Sequence, residues 1–192
     1  MPPKVKITKA DIIETALQIL RKGGDSTINA RGIAKSLCCS TQPVFSNFAT
    51  MEELYKAVTE SAYELYLGFL KREMESEKYP KYKSFGMAYI RFAREESELF
   101  KFLFMRDRRG EGFVPTTDFD ESVEMIMKAN NISKKRAELL HLEMWTCVHG
   151  IGTMIATSFL DLGSELISDI LTDVYQGIRA RHLSEEDNNG CN

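Results

Sequence analysis

Two places in the chain gather residues able to do chemistry. The first is Cys147 and His149, two positions apart, with His141 eight residues before His149. A nucleophile needs its base within hydrogen-bond reach. On a helix, side chains two apart leave on different faces, so this pair diverges. At about 1.5 Å of rise per residue, His141 and His149 stand about 12 Å apart along a helix, too far to share a metal ion directly. His149 therefore reads as a hydrogen-bonded buried residue. The second place is the adjacent pair Cys38 and Cys39. Adjacent cysteines seldom bridge and small buried thiols are common; the other reading is a redox sensor whose oxidation disturbs what lies beside it. There is no C-x-x-C, no Gly-rich phosphate loop, no G-x-S-x-G and no H-E-x-x-H. The residues thus predict no enzyme: no catalytic group, no metal and no cofactor.

The elements that hold these residues are helical. The chain has 192 residues, 43% of them hydrophobic, enough for a core and too apolar for a disordered polymer. It opens Met1-Pro2-Pro3-Lys4 and meets Asp11 and Glu14 before any signal-peptide core forms. The longest uncharged stretch, 144–160, is 17 residues and contains His149, Gly150 and Gly152, whereas a spanning helix needs about 20 mainly apolar residues. A cytoplasmic protein with reduced thiols and no membrane partner is expected.

Helical spacing recurs along the sequence, and clean strand alternation is absent. Ile12, Ile13, Ala16, Leu17, Ile19 and Leu20 form one stripe, begun by Thr8 as N-cap with Asp11 at N3 and closed by Gly23-Gly24. Short helices follow at 29–37 and 41–47. A long one spans 51–77, with Leu54, Val58, Ala62, Leu65, Phe69 and Leu70 inward. Others are predicted at 81–95, 97–107, 118–129, 133–160 and 163–182. The segment 108–117 reads as a loop, and 184–192 as a flexible tail. The fold class is all-α. A small three-helix unit at 1–50 precedes a larger helical body at 51–183, joined through a connecting helix at 51–77.

The front unit carries the strongest signal. Ile33-Ala34, Cys38-Cys39 and Val44 have helix-turn-helix spacing. Ala34 is small where the second helix of the motif crosses close, and Val44 packs back on the first. Ser40 can cap the next helix, and Pro43 falls in its first turn, where a missing N–H costs little. Thr41, Gln42, Ser46 and Asn47 then face outward. Short polar side chains on an exposed helix start suit a major groove.

The run S-T-Q-P-V-F-S-N-F, followed by Met51-Glu52-Glu53-Leu54, resembles the third helix and the start of the fourth in the TetR/AcrR family of bacterial transcriptional regulators. Asn29-Ala30-Arg31-Gly32-Ile33-Ala34 is similar to that family's second helix. Trp145-Thr146-Cys147-Val148-His149-Gly150 resembles the W-x-x-x-H-G signature of one subclass of its C-terminal domains. The resemblance implies a ligand-responsive homodimer, most often a repressor, that binds a palindromic operator in double-stranded DNA through its third helix. It implies DNA-binding roles for Asn29, Arg31, Ser40, Thr41, Gln42, Pro43, Phe45, Ser46 and Asn47, with Asn29 capping the second helix. Four positions depart from the pattern. Phe45 stands for the usual Tyr, Asn47 for His, Met51 for Lys and Cys38 for the turn Gly.

Charge agrees with this division. Residues 1–50 hold seven basic and three acidic side chains, a local +4, while 51–192 hold 18 and 25, a local −7. The whole-chain −3 conceals a basic front on an acidic body.

In the body, Thr146, Gly150, Thr153 and Thr157 form a strip of small residues. On the last helix, Ile167, Ile170, Leu171, Val174 and Ile178 lie within a broad apolar stripe. Two such helices from each subunit would make a four-helix dimer interface; the same stripes would equally serve a subunit's own core. Phe92, Phe104, Met105, Met144, Trp145 and Val148 are the candidate lining for a small apolar or amphipathic effector, with ordinary core packing as the alternative. The rival functions are a small helical enzyme, which lacks any catalytic constellation, and a helical interaction or small-molecule-binding protein without specific DNA recognition.

Overall fold

The computed structural model describes residues 7–107 and 119–189, so the predicted loop at 108–117 lies outside the described residues. Nine α-helices and one short 3₁₀ turn make up the regular structure there, with no strand among the described residues. They are α1 (Lys9–Gly23), α2 (Ala30–Ser36), α3 (Gln42–Asn47), α4 (Met51–Glu75), α5 (Lys81–Glu95), α6 (Ser97–Phe104), α7 (Phe119–Asn130), α8 (Lys134–Ala156) and α9 (Ser164–Asn189).

Packing divides the helices into two compact units. The first holds α1 to α3, α4 as far as Gly68, and α6. Thr8 opens α1 with a capping box, its hydroxyl accepting from the Asp11 amide while the Asp11 carboxylate accepts from the Thr8 amide. Gly24 closes α1 at φ +73, a conformation that glycine adopts without Cβ strain, and a Cβ there would also meet the Glu98 carboxylate at 2.9 Å. The core is built from Ile12, Ala16, Leu20, Ile33, Leu54, Val58, Leu99 and Phe100, all fully buried. Tyr55 and Tyr66 of α4 meet Phe102 and Phe104 of α6 at ring-centroid distances of 5.1 and 5.4 Å. Arg21 donates to both carboxylate oxygens of Glu96 at 2.8 Å, tying α1 to the start of α6. This packing division differs from the sequence boundary at residue 50. Three helices with so little apolar surface cannot close a core alone, and α4 and α6 supply the remainder.

The second unit holds α4 from Phe69, α5 through Arg94, α7, α8 and α9. Phe69 sets its ring edge-on to the fully buried Phe92 at 5.3 Å. Gly86 lets α5 lie close to α8 and α9, since a Cβ there would stand 3.1 Å from Val148 and 3.4 Å from Leu171. Leu140, Met144, Val148 and Ile151 of α8 and Ile167 and Leu171 of α9 complete the core.

Several helix ends depart from expectation. Ser40 makes no cap; Thr41 occupies the N-cap position of α3 without a side-chain cap bond. α6 stops at Phe104 rather than 107. α8 ends at Ala156 instead of running to 160, because Ser158 takes φ +56 and turns the chain. The Phe159 amide then donates to the Met154 carbonyl and the Ser158 amide to that of Ile155, both at 2.9 Å, which is a Schellman ending. α9 continues through Asn189 where a flexible tail was expected from Ser184. Residues 184–189 contain no Gly or Pro to end it, and the first breaker is Gly190.

Candidate nucleic-acid interface

The helix-turn-helix is assembled by local bonds that the residue types dictate. Asn29 sits in extended backbone at the N-cap of α2, its Oδ1 accepting from the Gly32 amide at 2.8 Å and its Nδ2 donating to the Thr27 carbonyl at 3.0 Å. Both ends of its side chain are engaged, so Asn29 organises the start of α2. α2 ends in a second Schellman motif. The Cys39 amide donates to the Ala34 carbonyl at 3.0 Å and the Cys38 amide to that of Lys35 at 3.2 Å. Cys38 takes the left-handed position, φ +51, which glycine favours. Ala34 and Ile33 are buried on one side of this turn and Val44, 1% exposed, on the other.

With Val44 inward, about 100° of rotation per residue carries Gln42 and Ser46 to the opposite side of α3 and Phe45 to one flank. Gln42, Phe45 and Ser46 are exposed, and Thr41, Pro43 and Asn47 are half-buried. The polar side chains are not equally available. Ser46 Oγ donates to the Gln42 carbonyl at 2.9 Å. Asn47 Nδ2 donates to the Pro43 carbonyl at 2.8 Å and reaches the Ile7 carbonyl at 3.4 Å. Ser40 and Arg31 are exposed on the turn and on α2. Phe45 presents its ring at 50% exposure.

One supporting element escaped the sequence reading. Thr50 Oγ1 accepts from the Glu53 amide at 3.1 Å, and the Glu53 carboxylate accepts from the Ala49 amide at 2.7 Å and from Lys9 Nζ at 3.4 Å. The Ala49 bond, then the Lys9 contact, hold the Glu53 carboxyl below its usual pKa. Lys9 also lies over the Phe48 ring at 5.0 Å. This knot fixes the end of α3 against the starts of α1 and α4. The T-x-x-E spacing of Thr50 and Glu53 is its signature in the sequence.

The expected effector-binding residues are distributed over both compact units. Phe104 and Met105 belong to the first unit, and Phe92, Met144, Trp145 and Val148 to the second. Phe92, Met144 and Val148 are buried, while Met105 and Trp145 are partly exposed. A cavity of about 400 Å³ in the first unit is lined by Glu14, Leu17, Arg21, Ser61, Glu64 and Leu65, none of them foreseen.

The expected dimer residues separate by burial. Ile167 and Leu171 belong to the second unit's own core. Thr146 and Thr157 are exposed, and Gly150, Thr153, Ile170, Val174 and Ile178 are half-buried. Leu139, Leu142, Trp145 and Leu166 stand at 37–51% exposure on the same two helices, α8 and α9. A Cβ added at Gly150 or Gly177 meets nothing within 4 Å.

The histidines of α8 are held by aromatic neighbours. The Tyr89 hydroxyl lies 2.8 Å from His149 Nδ1, and Trp145 stacks on the His149 ring at 4.9 Å with 9° between planes. Burial holds the His149 pKa down and pushes the Cys147 thiol up. Tyr82 Oη stands 3.0 Å from His141 Nδ1. No group of three or more potential metal ligands occurs among the described residues, and no helix there is long and apolar enough to cross a membrane.

No protein-family model and no curated protein matches the sequence. Among solved structures, the fold is similar to a protein of unknown function from Rhodococcus sp. RHA1, with a TM-score of 0.68, 20% identity, and 92% of this chain and 97% of that one covered. It is also similar to a TetR-like transcriptional regulator from Rhodococcus sp. RHA1, with a TM-score of 0.62, 13% identity, and coverage of 96% and 98%. The chain thus has a TetR-like fold, an all-α arrangement with a helix-turn-helix ahead of a larger helical portion.

Proposed function

We propose that the protein is a homodimeric transcriptional regulator that reads a palindromic operator in duplex DNA through α3. The observation that carries this reading is α3 itself. A buried Val44 pins it to α2, while Gln42 and Ser46 on the opposite side and Phe45 on one flank face solvent. A short helix held from behind and exposed in front is what a major groove accepts. The likeness to a TetR-like regulator supports the same reading. Arg31 beside α3 supplies phosphate attraction, and Ser40, Thr41, Pro43 and Asn47 border the contact face. Asn29 acts by holding the start of α2.

Dimerisation is assigned to the outer face of α8 and α9. Four large apolar side chains, Leu139, Leu142, Trp145 and Leu166, are exposed there, and Thr146, Gly150, Thr153 and Thr157 give a second helix close approach. Trp145, His149 and Gly150 are the residues of the W-x-x-x-H-G resemblance. A small apolar or amphipathic effector bound within the second unit would shift the spacing of the two α3 helices away from successive major grooves about 34–36 Å apart, releasing DNA as a repressor does.

Selection of bound fragments from random duplex DNA at low salt tests the reading. Enrichment of a palindrome is the expected result. If no palindrome is enriched, the regulator reading fails and a helical interaction protein takes its place. Replacing Gln42 and Asn47 with Ala weakens specific binding and leaves the dimer intact.

A further inference from the structure

Resting on the DNA-binding reading, we propose that Phe45 is a specificity-determining residue that reads the C5 methyl of thymine, next to an adenine read by Gln42. The argument is an inventory of what α3 can offer a base edge. Of its exposed or half-exposed polar side chains, Ser46 spends its hydroxyl proton on the Gln42 carbonyl at 2.9 Å, and Asn47 spends its amide on the Pro43 carbonyl at 2.8 Å. Gln42 alone keeps an exposed amide with both donor and acceptor available, the pair that fits adenine N7 and N6. Beside it the outward surface offers the Phe45 ring at 50% exposure, the Pro43 ring and the half-buried Thr41 with its methyl and hydroxyl, and of these the Phe45 ring is the large apolar group. In the major groove the thymine methyl is the one apolar group a base pair presents. Phe45 and Gln42 are three residues apart and so neighbours on one helix face, which sets their two bases close together in each half-site. A phenylalanine has no hydroxyl with which to reach a phosphate, so its exposed ring gains from DNA only by meeting such a methyl or a sugar.

The test uses the fragment recovered by selection, synthesised with deoxyuridine in place of thymidine. The change removes only the methyl and leaves base pairing intact. Wild-type protein binds the substituted fragment about fourfold more weakly for each methyl that Phe45 covers, the equivalent of one buried methyl group. Single substitutions along the fragment place the sensitive thymine beside the adenine that Gln42→Ala ceases to distinguish. Phe45→Ala binds the normal fragment more weakly and no longer discriminates at that position, while Phe45→Tyr keeps the discrimination. Circular dichroism and sedimentation establish that the variants are folded and assembled as the wild type is. Specific binding indifferent to deoxyuridine, or discrimination undiminished in Phe45→Ala, overturns this inference and leaves the regulator reading standing. Absence of any sequence-specific binding overturns both.

Discussion

Cys38 offers the sharpest test of how the helix-turn-helix is built. Its φ of +51 puts a residue bearing a Cβ where the Schellman ending of α2 calls for glycine. A left-handed conformation costs an L-residue about 1–2 kcal/mol. Glycine removes that cost but gives back about 0.5–1 kcal/mol through the extra freedom of its unfolded chain. The Cys38 side chain is exposed, so its removal forfeits little burial. Cys38→Gly should therefore stabilise the protein by about 0.5–1 kcal/mol, a rise in Tm of about 2 °C for a chain of this size. Cys38→Ala is the control, because it removes the thiol but keeps the Cβ. It should stay within about 0.5 kcal/mol of wild type, as surface changes do. Urea unfolding followed by circular dichroism measures both. If Cys38→Gly is no more stable than Cys38→Ala, the turn does not hold the strain its φ implies, and the reasoning fails.

Three further outcomes are expected. Leu142→Glu combined with Leu166→Glu places two charges on the exposed apolar face of α8 and α9 and should give a folded monomer by sedimentation; a variant that remains a dimer refutes the assignment of that face. His149, whose pKa burial lowers, takes up its proton at lower pH in the folded than in the unfolded chain, so its contribution makes stability fall as pH drops below about 6.5. Trp145, stacked on His149, should report that protonation as a fluorescence change with a midpoint below about 6.5 that vanishes in His149→Gln; a midpoint at or above that value contradicts the burial argument. Arg31→Ala should weaken binding to all DNA sequences alike and flatten the dependence of log K on log salt by about 2 per dimer, one phosphate contact from each subunit; an unchanged slope places Arg31 away from the backbone.

Where a helix begins was more legible in the sequence than where it ends, and the reason is physical. Starts depend on side chains that announce themselves. Thr8 with Asp11 and Asn29 with Gly32 cap α1 and α2 at the positions read from the sequence. Ends depend on one residue accepting a left-handed φ, and here glycine does so only at Gly24 among the described residues. Cys38, Glu77, Asn131 and Ser158 do it elsewhere, at φ of 50–56, and three of these carry no signal that a reader of helix ends would credit. That is why α4 was drawn two residues long and α8 four. The packing units divide elsewhere than residue 50 for another reason. A motif and a change of charge sign mark residue 50, but neither measures how much apolar surface a core needs. The α4–α6 aromatic contacts that complete the first unit join residues 38 and 47 positions apart, which periodicity cannot see.

The candidate interface was legible as a set of residues and not as a set of available atoms. Residue type made Ser46 and Asn47 look like base readers equal to Gln42. On a helix, serine and asparagine also compete for their own backbone, four residues back, and here both do. Of the α3 side chains, Gln42 keeps its whole amide and Phe45 its exposed ring, while Ser46 and Asn47 keep only acceptor oxygens. The same correction applies to charge. The front +4 counts Lys9 and Arg21, yet Lys9 is held by Glu53 and Arg21 by both oxygens of Glu96, each pair a bond within the fold. The cations that fold the first unit are therefore partly distinct from those left to attract phosphate. Lys22, Arg31 and Lys35 stand exposed in the same unit. On the DNA-binding reading proposed above, Phe45, one of the four positions at which the sequence departs from its resemblance, is therefore the residue to test first.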